Sequence, residues 1–346
     1  MNRMTKRTRT FLFFAAAILF LFTTPVVVLY SQGWRIDFDH KTVTHTGGLY
    51  VRVTPPRASI FLNDSFAKKT DFFFDSALIT NLLPGEYSLR VEKEGYIPWK
   101  KTLSVQSSQV TEAKEVILFP ENVEFQTLFS NVRKASLSPD SSLFAFQKKL
   151  DEKTWELTTF DISSNREIVL FEAPAGSQLK DIQWALNSNT LLLQFAQNGV
   201  EQKVRLDARE NEQTETRPEP EQNTIETEPQ ANEANVLPSG VSSPDKKKLL
   251  LLSGNTIALY DKSSKEQIVL GTFRNEPKNL TWLNNDHIFF SVGDDIFVSE
   301  LDVRGKEPNM VTLGAFKNPE LFWSPGAKTL FVLSESKFLV SEKLLP

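Results

Sequence analysis

The residues that could bind a metal ion are few and unfavourably spaced. The chain has three histidines, and two of them, His40 and His45, lie in the segment DFDHKTVTH with Asp37 and Asp39. If that segment is a β-strand, His40 and His45 point to opposite faces, because side chains alternate along a strand. We therefore predict a solvated strand without a metal site. The third, His287, opens an apolar run and is predicted to lie in a turn or at a rim.

The acidic residues form no catalytic pattern either. Asp294 and Asp295 follow Gly293, which predicts a hairpin turn rather than a calcium site. The sequence contains no Gly-x-Ser-x-Gly, no phosphate-binding Gly-rich loop and no His-Glu-x-x-His. We therefore predict no catalytic residue, no metal and no cofactor, and the sequence identifies no ligand-binding residue.

Composition narrows the class of protein. With 346 residues, the chain exceeds the usual size of a single core, so two or more domains are expected. A net charge of −4 argues against nucleic-acid binding, which needs a basic face. The lack of cysteine excludes disulfides, thiol chemistry and Cys-ligated zinc. Because a secreted eukaryotic protein of this size usually carries cysteines, a bacterial cell surface is the favoured setting.

The N-terminus predicts a membrane anchor, with a short basic tail, over residues 1–32. Residues 11–30, FLFFAAAILFLFTTPVVVLY, carry no charge and follow a segment with four basic residues. At about 1.5 Å per residue they span about 30 Å, the thickness of a bilayer's hydrocarbon core. The basic flank is expected to stay in the cytoplasm, which places the residues after about 31 outside it. A cleaved signal peptide is the alternative, but VVVLYSQGW has no small-x-small cleavage site.

Residues 33–118 are predicted to form a small β-domain. Apolar and polar residues alternate in four runs bounded by turn-forming residues: 49–53, 58–62, 86–91 and 101–105. Pro84-Gly85 and Gly95 predict tight turns. The side chains of Tyr87, Tyr96 and Trp99 are interpreted as packing in the core and at its rim. The alternative is an aromatic patch that contacts a partner.

Three motifs follow one another in this domain: PRASIFLN at Pro56 to Asn63, LPGEY at Leu83 to Tyr87 and GYIPW at Gly95 to Trp99. In this order they resemble the PEGA family. The resemblance covers about 49–118 and implies a non-catalytic β-sandwich of bacterial cell-surface proteins. The family usually has glycine after this Asn, whereas Asp64 and Ser65 follow Asn63 here, so the type of that turn is left open.

The rest of the chain contains a repeat. Five segments read as a short strand, a polar turn and an apolar strand: 136–146, 183–195, 241–252, 281–292 and 322–333. An acid is predicted to cap the third strand of each unit: Asp161, Asp207, Asp261, Asp302 and Glu342. Fourth strands are predicted in 167–173, 266–273 and 309–316. Four strands in about 40–45 residues are typical of a β-propeller blade.

The last repeat stops after its third strand. The segment VEFQTLF (123–129) resembles the fourth strands and is predicted to complete it, which closes a ring of about five blades over 121–346. Residues 208–235 are rich in Glu, Gln, Asn, Thr and Pro and predict a disordered acidic insertion. We interpret it as a solvated loop, and the alternative is a segment that binds cations or a basic partner.

Three of the repeats share a turn sequence. It reads Ser-Pro-Asp at Ser138-Pro139-Asp140 and Ser243-Pro244-Asp245, and Ser324-Pro325-Gly326 matches it in part. This turn followed by an apolar strand resembles the repeats of the Tol-system propellers of the periplasm. The resemblance implies protein binding or scaffolding.

The sequence therefore predicts a mainly β protein with an N-terminal transmembrane helix, a PEGA-like sandwich and a propeller. Its expected function is that of a membrane-anchored, non-catalytic binding or scaffold protein of the bacterial cell envelope. Its expected partners are the lipid bilayer, through residues 11–30, and an envelope protein or glycan. The alternatives are a hydrolase or lyase with its active site in the propeller channel, and a sensor ectodomain that acts through a membrane partner.

Overall fold

The structure is a computed structural model that describes residues 6–38, 41–71, 73–209, 240–305 and 307–346. The chain divides into two compact units, Met1–Leu118 and Phe119–Pro346. The first unit contains a helix and two packed β-sheets, and the second contains a series of antiparallel sheets.

The first unit begins with helix α1 (Lys6–Ser31), which has no buried side chain. Its 26 residues and mean hydropathy of 2.5 make it long and apolar enough to cross a membrane. After the helix, Gly33 donates its N–H to the carbonyl of Tyr30 (3.2 Å) at a φ of +90°, a conformation that glycine adopts without strain.

The strands of the first unit form a hairpin and a sandwich. They are β1 (Trp34–Asp37), β2 (Thr42–His45), β3 (Gly47–Thr54), β4 (Ser59–Leu62), β5 (Ser65–Lys69), β6 (Ser76–Leu82), β7 (Gly85–Glu92), β8 (Trp99–Val105) and β9 (Val110–Ile117). The pair β1–β2 is the hairpin, and the sandwich has the strand orders β6-β3-β9 and β5-β4-β7-β8. Leu49, Ile60, Leu89 and Leu103 are at most 2% exposed and belong to its core, so the predicted sandwich is confirmed.

The first hairpin turn of the sandwich forms without glycine. Leu62 and Ser65 are paired, so Asn63 and Asp64 are the two central residues, with φ of 46° and 62°. Positive φ at both positions defines a type I′ turn, which Asn and Asp tolerate better than most residues. The Oδ1 of Asn63 also accepts the N–H of Ser88 in β7 (2.9 Å). The turn whose type the sequence left open is therefore type I′.

The second unit begins with β10 (Phe125–Ser130) and continues as five sheets in chain order. Sheet 1 contains β11 (Val132–Leu137), β12 (Leu143–Lys149), β13 (Trp155–Asp161) and β14 (Arg166–Glu172), and sheet 2 contains β15 (Gln178–Trp184), β16 (Thr190–Gln197) and β17 (Val200–Asp207). Sheet 3 contains β18 (Val241–Ser242), β19 (Lys248–Ser253), β20 (Thr256–Asp261) and β21 (Gln267–Thr272). Sheet 4 contains β22 (Pro277–Trp282), β23 (His287–Val292), β24 (Asp295–Glu300) and β25 (Met310–Ala315), and sheet 5 contains β26 (Glu320–Ser324), β27 (Thr329–Ser334) and β28 (Lys337–Ser341).

These sheets agree with the predicted repeat. Each strand–turn–strand segment forms the first two strands of one sheet, and the three predicted fourth strands are β14, β21 and β25. Strand β10 pairs with β28, with Phe125 opposite Ser341 and Ser130 opposite Lys337. The prediction that 123–129 completes the last repeat is therefore confirmed.

Buried clusters join neighbouring sheets. Phe144 of sheet 1 packs against Phe331 and Phe338 of sheet 5, with ring centroids 4.7 and 4.8 Å apart. Similar clusters connect sheet 1 to sheet 2 and sheet 3 to sheet 4. This sequential packing of small antiparallel sheets, closed by the pairing of the first and last strands, is a β-propeller arrangement.

The predicted start of the acidic insertion at residue 208 is wrong. Ala208 is 1% exposed, and its carbonyl accepts a hydrogen bond from the hydroxyl of Thr159 (2.8 Å). A guanidinium nitrogen of Arg209 lies 3.3 Å from a carboxylate oxygen of Asp161. The folded unit therefore extends through Arg209, because both residues pack on sheet 1. The rest of the predicted insertion, 210–235, lies outside the described residues.

Candidate functional site

The recurring Ser-Pro-Asp turn has a structural cause. In sheet 1, the Ser138 hydroxyl donates to Asp140 (2.6 Å) and accepts the N–H of Leu143 (2.9 Å). In sheet 3, Ser243 donates to Asp245 (2.6 Å) and accepts the N–H of Lys248 (2.9 Å). Both serines are 2% exposed, so a buried serine hydroxyl holds the turn between the first two strands of each sheet.

The same turns connect neighbouring sheets. The N–H of Asp140 donates to the Ser188 hydroxyl of sheet 2, and the N–H of Asp245 donates to Asn285 of sheet 4, both at 3.1 Å. Burial raises the pKa of Asp140, but hydrogen bonds from Ser138 and Ser142 outweigh it and leave the pKa below its usual value. The carboxylate is thus committed to the turn.

A groove of about 570 Å³, which we call the seam groove, lies between sheets 1 and 5. Its apolar lining includes Leu128, Phe160, Ile162, Phe331 and Val340, and its polar lining includes Asp140, Ser141, Ser163, Asn165, Thr329 and Lys343. The turns 138–142 and 324–327 border it, and the Ser324 hydroxyl donates to the carbonyl of Ser141 across the seam (3.2 Å). The volume falls within the range of ordinary ligand pockets.

Thr329 lies at the wall of the seam groove with its hydroxyl buried. The residue is 9% exposed, and its Oγ1 has no hydrogen-bond partner among the described residues. An unpaired buried hydroxyl costs about 1–3 kcal/mol, so the packing at this wall carries a local cost. The groove itself can bind an apolar group on its aromatic lining.

A second, smaller cavity of about 180 Å³ lies between sheets 1 and 2, and its lining includes Asp161 and Arg209, which pair with each other. Asp161 pairs with Arg209 and accepts the N–H groups of Ser163 and Ser164 (2.9 and 3.0 Å). Hydrogen bonds, the largest from the Ser163 hydroxyl, lower the pKa of Asp161 to about 2. These contacts satisfy the carboxylate and make it a structural group.

The predicted acidic caps follow from the turn after the third strand. Asp161, Asp207 and Asp261 end β13, β17 and β20, and each accepts the N–H of the residue two positions later, as in an Asx turn. Asp302 accepts the N–H of Arg304 in the same way (3.0 Å) but lies beyond β24, and Glu342 lies one residue beyond β28.

The structure describes two of the three histidines. His45 ends β2, and its ring packs against Trp34 with centroids 3.9 Å apart and ring planes tilted by 42°, while Asp37 is 7% exposed. His287 is the first residue of β23 but is 3% exposed, because the preceding turn folds over it and Leu283 donates its N–H to the His287 carbonyl (3.0 Å). Asp39 and His40 lie outside the described residues.

The other residues that the sequence analysis considered lie in a turn or in the core of the sandwich. Gly293 and Asp294 form the two-residue turn between Val292 and Asp295, as predicted. Trp99 is 5% exposed, and Tyr87 and Tyr96 pack against the sandwich core. Within the part of the chain that the structure describes, no group of three or more His, Asp or Glu side chains is placed to hold a metal ion. The sequence did not indicate the seam groove, since its two walls are about 180 residues apart in the chain.

Residues 46–117 match the PEGA domain family. This segment is a PEGA domain. The match begins next to β3 and ends with β9, so the PEGA domain comprises both sheets of the sandwich and excludes the hairpin β1–β2. In sequence, no curated protein matches the chain.

Solved structures with a distant likeness include propellers. TolB from Acinetobacter baumannii is 12% identical with a TM-score of 0.28, and the alignment covers 75% of this chain and 60% of that one. The β-propeller domain of the Trilobed protease from Pyrococcus furiosus is 11% identical with a TM-score of 0.22, over 85% and 82% of the two chains. A chain of the Mitotic Checkpoint Complex is 11% identical with a TM-score of 0.29, over 76% and 83%. The fold assignment rests on the strand pairing of this chain itself.

Proposed function

We propose that the protein is a membrane-anchored binding or scaffold protein of the bacterial cell envelope, and that the seam groove receives a protein partner. In this proposal, residues 1–32 are the tail and anchor, 33–118 the PEGA-containing domain and 121–346 the propeller. Residues 11–30 lie in the bilayer, and everything after about residue 31 is extracytoplasmic, because the basic flank stays in the cytoplasm.

The observation that carries the binding role is the seam groove, with its volume of about 570 Å³ and its aromatic lining. An extended protein segment suits this lining, because it offers an apolar side chain for Phe160 and Phe331. The Asp140 carboxylate, which also lines the groove, accepts hydrogen bonds from Ser138 and Ser142, which favours binding over catalysis. The proposed protein is therefore non-catalytic.

The experiment uses the full-length protein in lipid nanodiscs as bait for solubilised envelope of the source organism. Gly326 lines the groove, and a Cβ added there meets no atom within 4 Å, so Gly326→Trp introduces a large side chain beside the groove without a clash at its Cβ. We expect this variant to lose a protein that the unmodified chain retains.

Leu186→Trp is the matched control, because Leu186 is 76% exposed in the corresponding turn of sheet 2, outside the groove. It should retain the partner fully. Equal retention by Gly326→Trp and Leu186→Trp would overturn the groove as the binding site. Retention of a glycan instead of a protein would overturn the proposed partner class, and turnover in a hydrolase or lyase screen would overturn the non-catalytic role.

A further inference from the structure

The hairpin β1–β2 has two chemically different faces. Ile36 is paired with Val43 and Trp34 with His45, so these four side chains share one face. Ile36 is 57% exposed and Val43 is 60% exposed, and Phe38, which follows β1, is 82% exposed. We call Ile36, Phe38 and Val43 the hairpin face. Large apolar side chains grouped in this way on a small element indicate an interaction surface.

The opposite face of the hairpin is fixed to the rest of the first unit. Asp37 is buried. Burial of Tyr87 raises the pKa of its phenol, and the negative charge of Asp37 raises it further, so the Asp37 carboxylate is directed toward the sandwich. Arg35 donates to the Oδ1 of Asn81 at the end of β6 (3.2 Å). These contacts leave the hairpin face directed away from the sandwich.

The hairpin is also fixed to the end of helix α1. Arg35 donates to the carbonyl of Tyr30 (2.7 Å), and its guanidinium carbon lies 3.4 Å from the centre of the Tyr30 ring. Thr46, which follows β2, donates its N–H to the carbonyl of Gly33 (2.9 Å). Since β1 starts three positions after the helix ends, the hairpin face cannot move far from the end of the apolar helix.

We infer that the hairpin face lies in the membrane–water interface, in the same bilayer that helix α1 enters. This inference rests on the proposed anchor and adds a second, peripheral contact with lipid. The composition fits, because Tyr and Trp prefer the headgroup level and Ile, Phe and Val bury apolar area below it. The exposed Lys41 in the hairpin turn can extend its ammonium group to lipid phosphates. The hairpin thereby sets the orientation of the PEGA domain on the membrane.

The test uses spin labels, for which the chain is well suited because it contains no cysteine. Single-cysteine variants Ile36→Cys, Phe38→Cys and Val43→Cys of the full-length protein are labelled and placed in nanodiscs with an anionic lipid. Spin relaxation is then measured with oxygen, which partitions into lipid, and with a water-soluble nickel chelate. We expect labels at these positions to respond to oxygen and to lose the response to the nickel chelate.

Phe74→Cys is the matched control. Phe74 is also an exposed aromatic residue of the first unit. It lies just before the start of β6 at Ser76, whereas the hairpin contacts the other end of β6, where Asn81 accepts a hydrogen bond from Arg35. Its label should respond to the nickel chelate. An unchanged thermal transition of each variant would show that the labelled proteins remain folded, as expected for substitutions at exposed positions.

Two results would overturn the inference. A nickel response at the hairpin face equal to that at Phe74 would place the face in water. Immobile labels shielded from both reagents would show that a protein, or a second copy of this chain, covers the face. A label at Leu19→Cys in helix α1 distinguishes a failure of the interface proposal from a failure of the proposed anchor. Access of the nickel chelate to residue 19 would refute the anchor itself.

Discussion

Asp161 is a carboxylate that the fold keeps ionised. The hydroxyl of Ser163 donates to it (2.7 Å), as do the N–H groups of Ser163 and Ser164, and its pKa falls from 3.8 to about 2. A carboxylate whose pKa is lower in the folded state stabilises the fold above its unfolded pKa of 3.8. That contribution is lost as the pH falls through about 2. The shift corresponds to a contribution on the order of 2 kcal/mol.

The variant Asp161→Asn tests this contribution. Asn retains an acceptor oxygen for the turn but no charge, so we expect the propeller to lose on the order of 2 kcal/mol at about pH 6 and much less at about pH 2.5. Urea unfolding at both pH values measures the two differences. The exposed Glu121→Gln is the control and should change stability little at either pH. A difference for Asp161→Asn that is independent of pH would contradict the assignment.

Single residues of the candidate site were only partly predictable. The Ser-Pro-Asp pattern predicted a turn in sheets 1 and 3, because the hydrogen bonds that close the turn are local. The unpaired hydroxyl of Thr329 was not predictable, since it depends on how sheet 5 packs against sheet 1. Ala208 was assigned to the insertion for the same reason, because its burial depends on Thr159, which is distant in the chain.

At the scale of elements, β10 was predictable because its residues follow the pattern of the other fourth strands. The role of its side chains required the structure. Phe129 packs against Phe146 and Phe160 of sheet 1, with ring centroids 4.9 and 5.2 Å away, and more distantly against Phe338 of sheet 5 (6.5 Å). Besides its pairing with β28, strand β10 therefore contacts both sheet 1 and sheet 5 through the ring of Phe129.

Replacing Phe125, Leu128 and Phe129 together with Ser should weaken this closure. Aromatic truncations in well-packed sites cost about 3–5 kcal/mol each, and the partial exposure of these side chains lowers that figure, so we expect a loss of at least about 3 kcal/mol in the second unit. Differential scanning calorimetry measures it. Ile268→Ser with Val269→Ser in β21 is the control, because both side chains are exposed on an outer strand. Equal effects of the two replacements would contradict a special role for β10.

At the scale of the whole molecule, the sequence predicted the order of anchor, sandwich and propeller. Each part has a pattern that is readable over a short window: an apolar run, alternation with turns, or a repeat. The seam groove and the hairpin face were not predictable, because each depends on which sides of two elements remain uncovered after packing. Ile36 and Val43 read as ordinary strand residues until the opposite face is known to be occupied by Arg35 and Asp37.

The two units have separate cores, which predicts two unfolding transitions. Trp99 belongs to the core of the sandwich and is 5% exposed, so Trp99→Ala should destabilise the first unit by about 3–5 kcal/mol. In calorimetry of the full-length protein, we expect only the transition of the first unit to shift to lower temperature. Phe74→Ala, at a residue 76% exposed, should leave both transitions unchanged. A shift of both transitions in Trp99→Ala would contradict independent units, since a change confined to one core can reach the other only through contacts between them, and a single transition would show that the units unfold as one cooperative body.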